Sequence, residues 1–134
     1  MKKFDHFKSN LNVLALADQE ELTNEFIIGG IIDKFFIQFE LGWKVLKEPL
    51  SYEGQSISAS GSPKMILKTA FAIYDFIDEN VWLEMLRARN DMTHIYDALA
   101  ARRLVDAVLQ QYIPEFQKMK EGIESFYKDE IDNM

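Results

Sequence analysis

The sequence predicts an all-α protein, an antiparallel up-and-down helical bundle of four main helices plus a short fifth. Two observations predict it: apolar residues recur at intervals of three and four along most of the chain, and no alternating pattern typical of strands appears. With 134 residues, 48% of them hydrophobic, the chain suits a single domain, residues 1–134, around one core.

The first two helices are predicted over residues 3–18 and 22–47. The second is apolar on more than one side, so it needs cover from several directions. This pattern indicates the central helix of a bundle, an oligomer interface, or both. Gly29-Gly30 within it costs about 1 kcal/mol per residue relative to alanine. The pair therefore indicates close approach by a neighbouring helix or a local bend, and Pro49 is expected to close the segment.

A Ser/Gly-rich loop is predicted over residues 51–62, followed by a third helix. Ser62 and Pro63 are a typical helix start, since serine caps the first turn and proline is tolerated within it. Apolar spacing continues to Ile77. Asn80 is then expected to cap the short helix.

The last helix is predicted from about Ala98 to Tyr127, with Asp97 as its cap. Pro114 lies inside this segment, so the helix is expected to bend or to split in two there. Residues 128–134 are polar and are expected to fray.

Composition excludes several functional classes. The net charge of −7 argues against broad binding to a nucleic-acid backbone, so contact with RNA or a nucleotide would be local. The absence of cysteine excludes disulfides and thiolate zinc sites. The N-terminus lacks the apolar core of a secretory signal, and the longest apolar run, residues 26–32, is too short to span a bilayer. We therefore expect a cytoplasmic protein without a membrane partner.

Most of the recognisable chemistry lies in one stretch, Arg89 to Asp97. It contains His94, one of two histidines, and Tyr96. All four arginines of the chain fall within it or close beside it: Arg87, Arg89, Arg102 and Arg103.

Helix geometry constrains this stretch. At about 100° per residue, Arg89 and His94 would lie about 140° apart on a continuous helix and would not share a face. Either the helix ends between them or a second copy of the chain completes the site. Asn90 suits a helix end because asparagine tolerates the left-handed conformation, and Asp97 can then begin the next helix.

Arginine and histidine have complementary chemistry. Arg89 offers a charged, forked donor that matches phosphate oxygens, and His94 can exchange a proton near neutral pH. Together they suit binding of a phosphodiester and its cleavage by an RNA 2′-hydroxyl, without a metal. Asn90 could orient the substrate. The other arginines are further candidates for substrate binding: Arg87, Arg102 and Arg103.

A purely structural explanation is also open. Arg89 could bridge Glu84 or Asp91, His94 could be a hydrogen-bonded turn residue, and Tyr96 could serve packing. The sequence predicts no metal and no cofactor, because the two histidines lie far apart and no phosphate-loop motif is present.

The stretch from Arg89 to His94 resembles the Arg-x4-His motif of HEPN domains, and its continuation to Tyr96 matches the Arg-x4-His-x-Tyr form of HepT-like proteins. Further segments, in order, resemble small bacterial and archaeal nucleotidyltransferase substrate-binding proteins. These segments are residues 39–47, 62–64, 81–86 and 112–114.

The resemblance implies an HEPN-like bundle that forms a homodimer, with the two motifs facing each other near the interface. It also implies a separate small nucleotidyltransferase (MNT) as partner and a role as the helical accessory, substrate-binding subunit. The alternative it implies is a metal-independent ribonuclease toxin, neutralised when the MNT adenylylates Tyr96. Arg89 and His94 would then be catalytic, with Asn90 supporting. A third alternative, suggested by the apolar second helix, is a purely structural assembly protein.

Overall fold

A computed structural model of the chain describes residues 1–56 and 61–134, and all regular secondary structure in these ranges is helical. If α3 is counted with α2, and α6 with α7, the described residues form five helices, which confirms an all-α bundle. None of these helices has the length and apolar composition to cross a membrane. The helices are α1 (Lys2–Leu14), α2 (Glu25–Val45), α3 (Lys47–Tyr52), α4 (Pro63–Ile73), α5 (Glu79–Asn90), α6 (Ala98–Ala107) and α7 (Ile113–Phe126).

Helix α2 is the centre of the bundle, as its apolar pattern predicts. It packs against α1, α4, α5 and α6, and a row of its side chains from Ile28 to Trp43 is buried. The expected close approach by a neighbouring helix is not found at Gly29-Gly30. A Cβ atom built on either glycine would meet nothing within 4 Å, and α2 runs through both without a break. The described chain therefore leaves open space beside the pair, and the helix continues through it.

A buried amide fixes the register of α1 on α2. Gln38 of α2 is fully buried, and its Nε2 donates to the backbone oxygen of Phe7 at 3.0 Å. Its Oε1 accepts from Nδ2 of Asn10 at 2.7 Å. Because both ends of this buried amide are paired, its hydrogen bonds offset the cost of burying it, and it specifies one alignment of the two helices.

The end of α2 differs from the prediction. Helix α3 resumes at Lys47, directly after the turn at Leu46, so Pro49 does not close the segment. Proline is tolerated there because the N–H groups in the first turn of a helix have no intrahelical partner. Tyr52 is still helical, so the predicted loop begins later than residue 51, and residues 57–60 of that loop lie outside the described ranges.

Helix α4 is shorter than predicted, and a different residue caps α5. Ser62 caps α4 as expected, but the helix ends at Ile73. Ile77 is buried outside it, so the apolar pattern continues past the helix end. The cap of α5 is Asp78, whose Oδ1 accepts from the backbone N of Asn80 at 3.0 Å, while Asn80 itself is inside the helix.

Two predictions about the last helix are confirmed. Asp97 caps α6, its Oδ1 accepting from the backbone N of Leu99 at 3.0 Å. Ahead of Pro114, a π-helical turn over Val108–Tyr112 separates α6 from α7. A wider turn gives room at the place where a proline ring would collide with the preceding turn. Beyond α7, Ile131–Asn133 form a 3-10 turn, and Ile131 packs partly against the core.

Three tyrosine hydroxyls are buried and hydrogen-bonded. Tyr74 and Tyr127 share a hydrogen bond of 2.5 Å between their oxygens, and Tyr127 donates to Glu53 at 2.8 Å. Tyr112 donates to Glu84 at 2.8 Å. Burial raises the pKa of Tyr74 to about 12, and burial with the neighbouring hydrogen bonds raises the pKa of Tyr112 and Tyr127.

These phenols make the fold sensitive to alkali. In the unfolded chain a tyrosine ionises near pH 10, whereas folded Tyr74 keeps its proton until about pH 12. The stabilisation that comes from the buried, protonated phenol is thus complete below pH ~10 and is lost as pH rises to ~12. Each phenol lowers the free energy of unfolding by at most about 1.4 kcal/mol per pH unit in this range. We expect urea unfolding across this range to show the decline. It should be shallower in Tyr74→Phe, and equal slopes in the two proteins would contradict the assignment.

Candidate functional site

The polar stretch is a helix end, a turn and a helix start, as helix geometry requires. Helix α5 ends at Asn90, and Asp91 has an extended backbone. The Asp91 carboxylate then accepts from the backbone N and the hydroxyl of Thr93 at 3.0 and 2.6 Å. These hydrogen bonds lower the pKa of Asp91. Asn90 does not adopt the predicted left-handed conformation, because the Asp91 side chain stabilises the turn instead.

His94 is held by the turn and by α2. Its Nδ1 lies 3.1 Å from the backbone oxygen of Asp91. A carbonyl can only accept, so Nδ1 carries the hydrogen in this contact, and the neutral ring has its lone pair on Nε2. The ring also packs on Phe36, with 5.3 Å between centroids. Nε2 is therefore the atom that can accept a proton or a hydrogen bond.

Arg89 pairs with a residue that the sequence did not suggest. Its Nη2 lies 2.7 Å from Oε1 of Glu40 on α2, and neither Glu84 nor Asp91 is the partner. The other oxygen of Glu40 accepts from Nε1 of Trp43 at 3.0 Å. Helix α2 thus supports both motif residues one turn apart, His94 through Phe36 and Arg89 through Glu40. Phe36 and Glu40 are four residues apart and share one face of α2, and this spacing is the sequence feature that could have indicated their common role.

A groove of about 410 Å³ opens beside His94, between the first half of α2 and the start of α6. We call it the motif groove. One wall includes His94 and Tyr96, and Arg102 is also part of the lining. Acidic groups outnumber basic ones among its lining residues. The complete lining is Glu25, Ile28, Gly29, Ile32, Asp33, His94, Ile95, Tyr96, Asp97, Ala98, Ala101 and Arg102.

The motif groove brings together only some of the candidate residues. His94, Tyr96 and Arg102 line it, while Arg89 is held at Glu40. Asn90, Arg87 and Arg103 do not line the groove. The sequence placed all of them in one cluster because they are close along the chain. The change of direction at the turn separates them in space.

Tyr96 presents an accessible phenol. Tyr96 is 81% exposed and lines the motif groove. Tyr52 is also well exposed, at 55%, whereas the other three tyrosines are buried with hydrogen-bonded hydroxyls. Tyr96 is thus a tyrosine that a second protein or a reagent can reach at the motif.

Within residues 1–56 and 61–134, no group of three or more His, Asp or Glu side chains is arranged to hold a metal ion. The side chains at the motif can supply hydrogen bonds, ion pairs and proton transfer. Donors for an anion come from Arg89 and Arg102, and Nε2 of His94 is the proton acceptor.

Comparison with known families gives one match. A family model described as nucleotidyltransferase substrate binding protein like matches residues 2–125. The matched region includes both walls of the motif groove, the Arg89–Glu40 ion pair and almost all of α7. A search of curated proteins finds no match to the chain.

Proposed function

Because the chain belongs to the nucleotidyltransferase substrate binding protein like family, we propose that it is the substrate-binding subunit of a two-component nucleotidyltransferase. In this proposal a separate small nucleotidyltransferase of the MNT type supplies the catalytic centre. The present chain is an HEPN-type, HepT-like bundle that supplies a binding surface in the cytoplasm.

The observation that carries the proposal is the motif groove. Its volume, about 410 Å³, falls in the usual range for small-molecule sites. It lies within the region that matches the family, and it combines a hydrogen-bonding histidine, an exposed phenol and an arginine. A groove of this kind suits a ligand that is held for a partner enzyme.

Electrostatics favour this role over that of a free ribonuclease. Glu25, Asp33 and Asp97 line the groove, and Glu40 already engages Arg89. A polynucleotide backbone would bring several phosphates close to these carboxylates, and binding such a backbone requires an excess of positive charge. The net charge of −7 also disfavours binding of a polynucleotide.

A second candidate function is metal-independent RNA cleavage, and Nε2 of His94 supports it. That atom is free to remove the proton from a ribose 2′-hydroxyl. Arg89 of α5 is held at Glu40, one turn of α2 beyond the Phe36 that packs on His94. The 2′-oxygen would attack the adjacent phosphorus, with expulsion of the 5′-oxygen of the next nucleotide. In this alternative the MNT partner silences the enzyme by modifying Tyr96.

A homodimer is part of the proposal. Apolar side chains remain exposed on α2 and on the motif turn, among them Phe26 at 91% and Ile95 at 63%. Gly29 and Gly30 leave open space on α2. These exposed surfaces suit a second copy of the chain, packed beside the motif groove. A monomer in sedimentation at micromolar concentration would contradict this arrangement.

One experiment separates the two functions. The purified chain, Arg89→Ala and His94→Ala are incubated with RNA in the presence of a chelator, and cleavage is followed. We expect intact RNA in all three samples, together with co-elution of the wild-type chain and its MNT partner in size-exclusion chromatography. Cleavage by the wild type alone would overturn the binding-subunit proposal and establish the ribonuclease. Intact RNA without co-elution would instead favour a structural assembly protein.

A further inference from the structure

Positive charge collects at the end of α2 away from the motif groove. Lys44 Nζ lies 3.9 Å from Oε2 of Glu40. The Nζ atoms of Lys44 and Lys47 stand over the ring of Trp43, at 5.6 and 5.0 Å from a ring centroid. Arg89 and Lys44 therefore flank the Glu40 carboxylate, and Lys47 stands over the neighbouring Trp43 ring. This cluster has two positive charges in excess, in a chain with a net charge of −7.

Glu40 arranges the cluster and cannot neutralise it. One of its oxygens accepts from Arg89, and the other accepts from the Trp43 indole. With both oxygens engaged, the carboxylate is fixed to α2 and holds Arg89 beside Lys44. The side chains of Arg89 and Lys44 are still 35% and 44% exposed. Donors of both cations therefore remain available to an anion from solvent.

The cluster lies on the line of the motif groove. Residues at intervals of three and four along α2 follow one face, from Asp33 in the groove, past Phe36 under His94, to Glu40 at Arg89. Asp33 and Glu40 are about 10 Å apart along the axis, since each residue rises about 1.5 Å. This face is acidic at the groove and basic at its other end.

We propose that Arg89, Lys44 and Lys47 form an anion subsite for the phosphate of a mononucleotide. The base and ribose of that nucleotide lie in the motif groove. The inference rests on the proposed substrate-binding function and names its ligand class. A mononucleotide fits better than a polynucleotide, because a continuing backbone would carry its next phosphates toward the carboxylates of Glu25 and Asp33.

Trp43 provides a local reporter of this subsite. The chain has two tryptophans, so an amide NMR spectrum contains two indole N–H signals. The indole N–H of Trp43 donates to Glu40, and Glu40 also binds Arg89. Trp82 is fully buried against Phe39 and Phe116 and serves as an internal reference. A phosphate that competes for Arg89 should shift the first signal and leave the second unchanged.

The test is a titration of the ¹⁵N-labelled full chain with adenosine monophosphate. We expect a saturable shift of the Trp43 indole signal. Adenosine, which lacks the phosphate, should produce no such shift. Inorganic phosphate should shift the same signal with weaker affinity, because it lacks the groups that occupy the groove.

Matched variants complete the test. Lys44→Gln and Lys47→Gln should each weaken adenosine monophosphate binding about threefold to tenfold, the effect of losing one exposed charge contact. Lys34→Gln on the same helix is exposed outside the cluster and should bind as the wild type does. No saturable shift, an equal shift with adenosine, or equal losses in all three variants would overturn the subsite. Co-elution with the MNT partner is independent of this titration, so its failure alone would bear on the proposed function.

Discussion

Gly122→Ala is expected to destabilise the fold by about 1–3 kcal/mol, the usual cost of forcing an extra group into a packed core. A Cβ atom on Gly122 would overlap Cγ of Phe76 and lie 2.7 Å from the Cβ of that residue. Phe76 is only 6% exposed, and it stacks on Tyr74 with 4.8 Å between centroids. The ring therefore cannot move away without disturbing the core. Urea unfolding followed by circular dichroism measures the loss.

Gly29→Ala is the matched control for this substitution. It also replaces a helical glycine, but a Cβ atom there meets nothing within 4 Å. The isolated chain should gain up to about 1 kcal/mol, because alanine favours the helix. Equal stability of the two variants would contradict the tight packing at Gly122. If two copies pack through α2, Gly29→Ala should also weaken their association.

If the proposed MNT partner adenylylates this chain, Tyr96→Phe is expected to remove the nucleotide labelling. In that reaction the phenol oxygen attacks the α-phosphorus of ATP, pyrophosphate leaves, and the phenol proton passes to a base. Tyr96 is 81% exposed and lines the motif groove, so its oxygen is accessible. Incubation of both proteins with ATP labelled at the α-phosphate measures the transfer, and the expected signal of Tyr96→Phe is background.

Tyr52→Phe is the control for the labelling. Tyr52 is exposed at 55% but lies on α3, outside the motif groove. It should be labelled as strongly as the wild type. The remaining tyrosines are buried, and their hydroxyls are hydrogen-bonded. Undiminished labelling of Tyr96→Phe would show that another residue is the acceptor.

The fold could be predicted from local information because its main signals are local. Apolar residues at helical spacing show where α1, α2 and α7 lie, and short polar side chains such as Ser62 and Asp97 mark helix starts. The predicted ends of the helices were less accurate than their centres. The buried connection at Ile77 continues the apolar pattern beyond α4, and Pro49 fits the first turn of α3.

The candidate site could be predicted only in part, because half of it comes from a distant helix. The position of a helix end between Arg89 and His94 follows from the angle between them. The partners of these residues, Glu40 and Phe36, belong to α2, and their contacts depend on how α2 packs against α5. A sequence pattern contains no distance between separate helices, so it suggested only nearby acids for Arg89.

The central position of α2 makes the two walls of the motif groove unequal in their dynamics. The α2 wall is tied to four other helices, so it moves only when the whole core opens. The opposite wall contains the 3-10 turn Thr93–Ile95, which has no buried residue. It is held by local hydrogen bonds of Asp91 and by the contact of His94 with Phe36. Such a segment opens at a small fraction of the global free energy. We therefore expect Tyr96 and the turn to move when a ligand binds, while α2 stays in place.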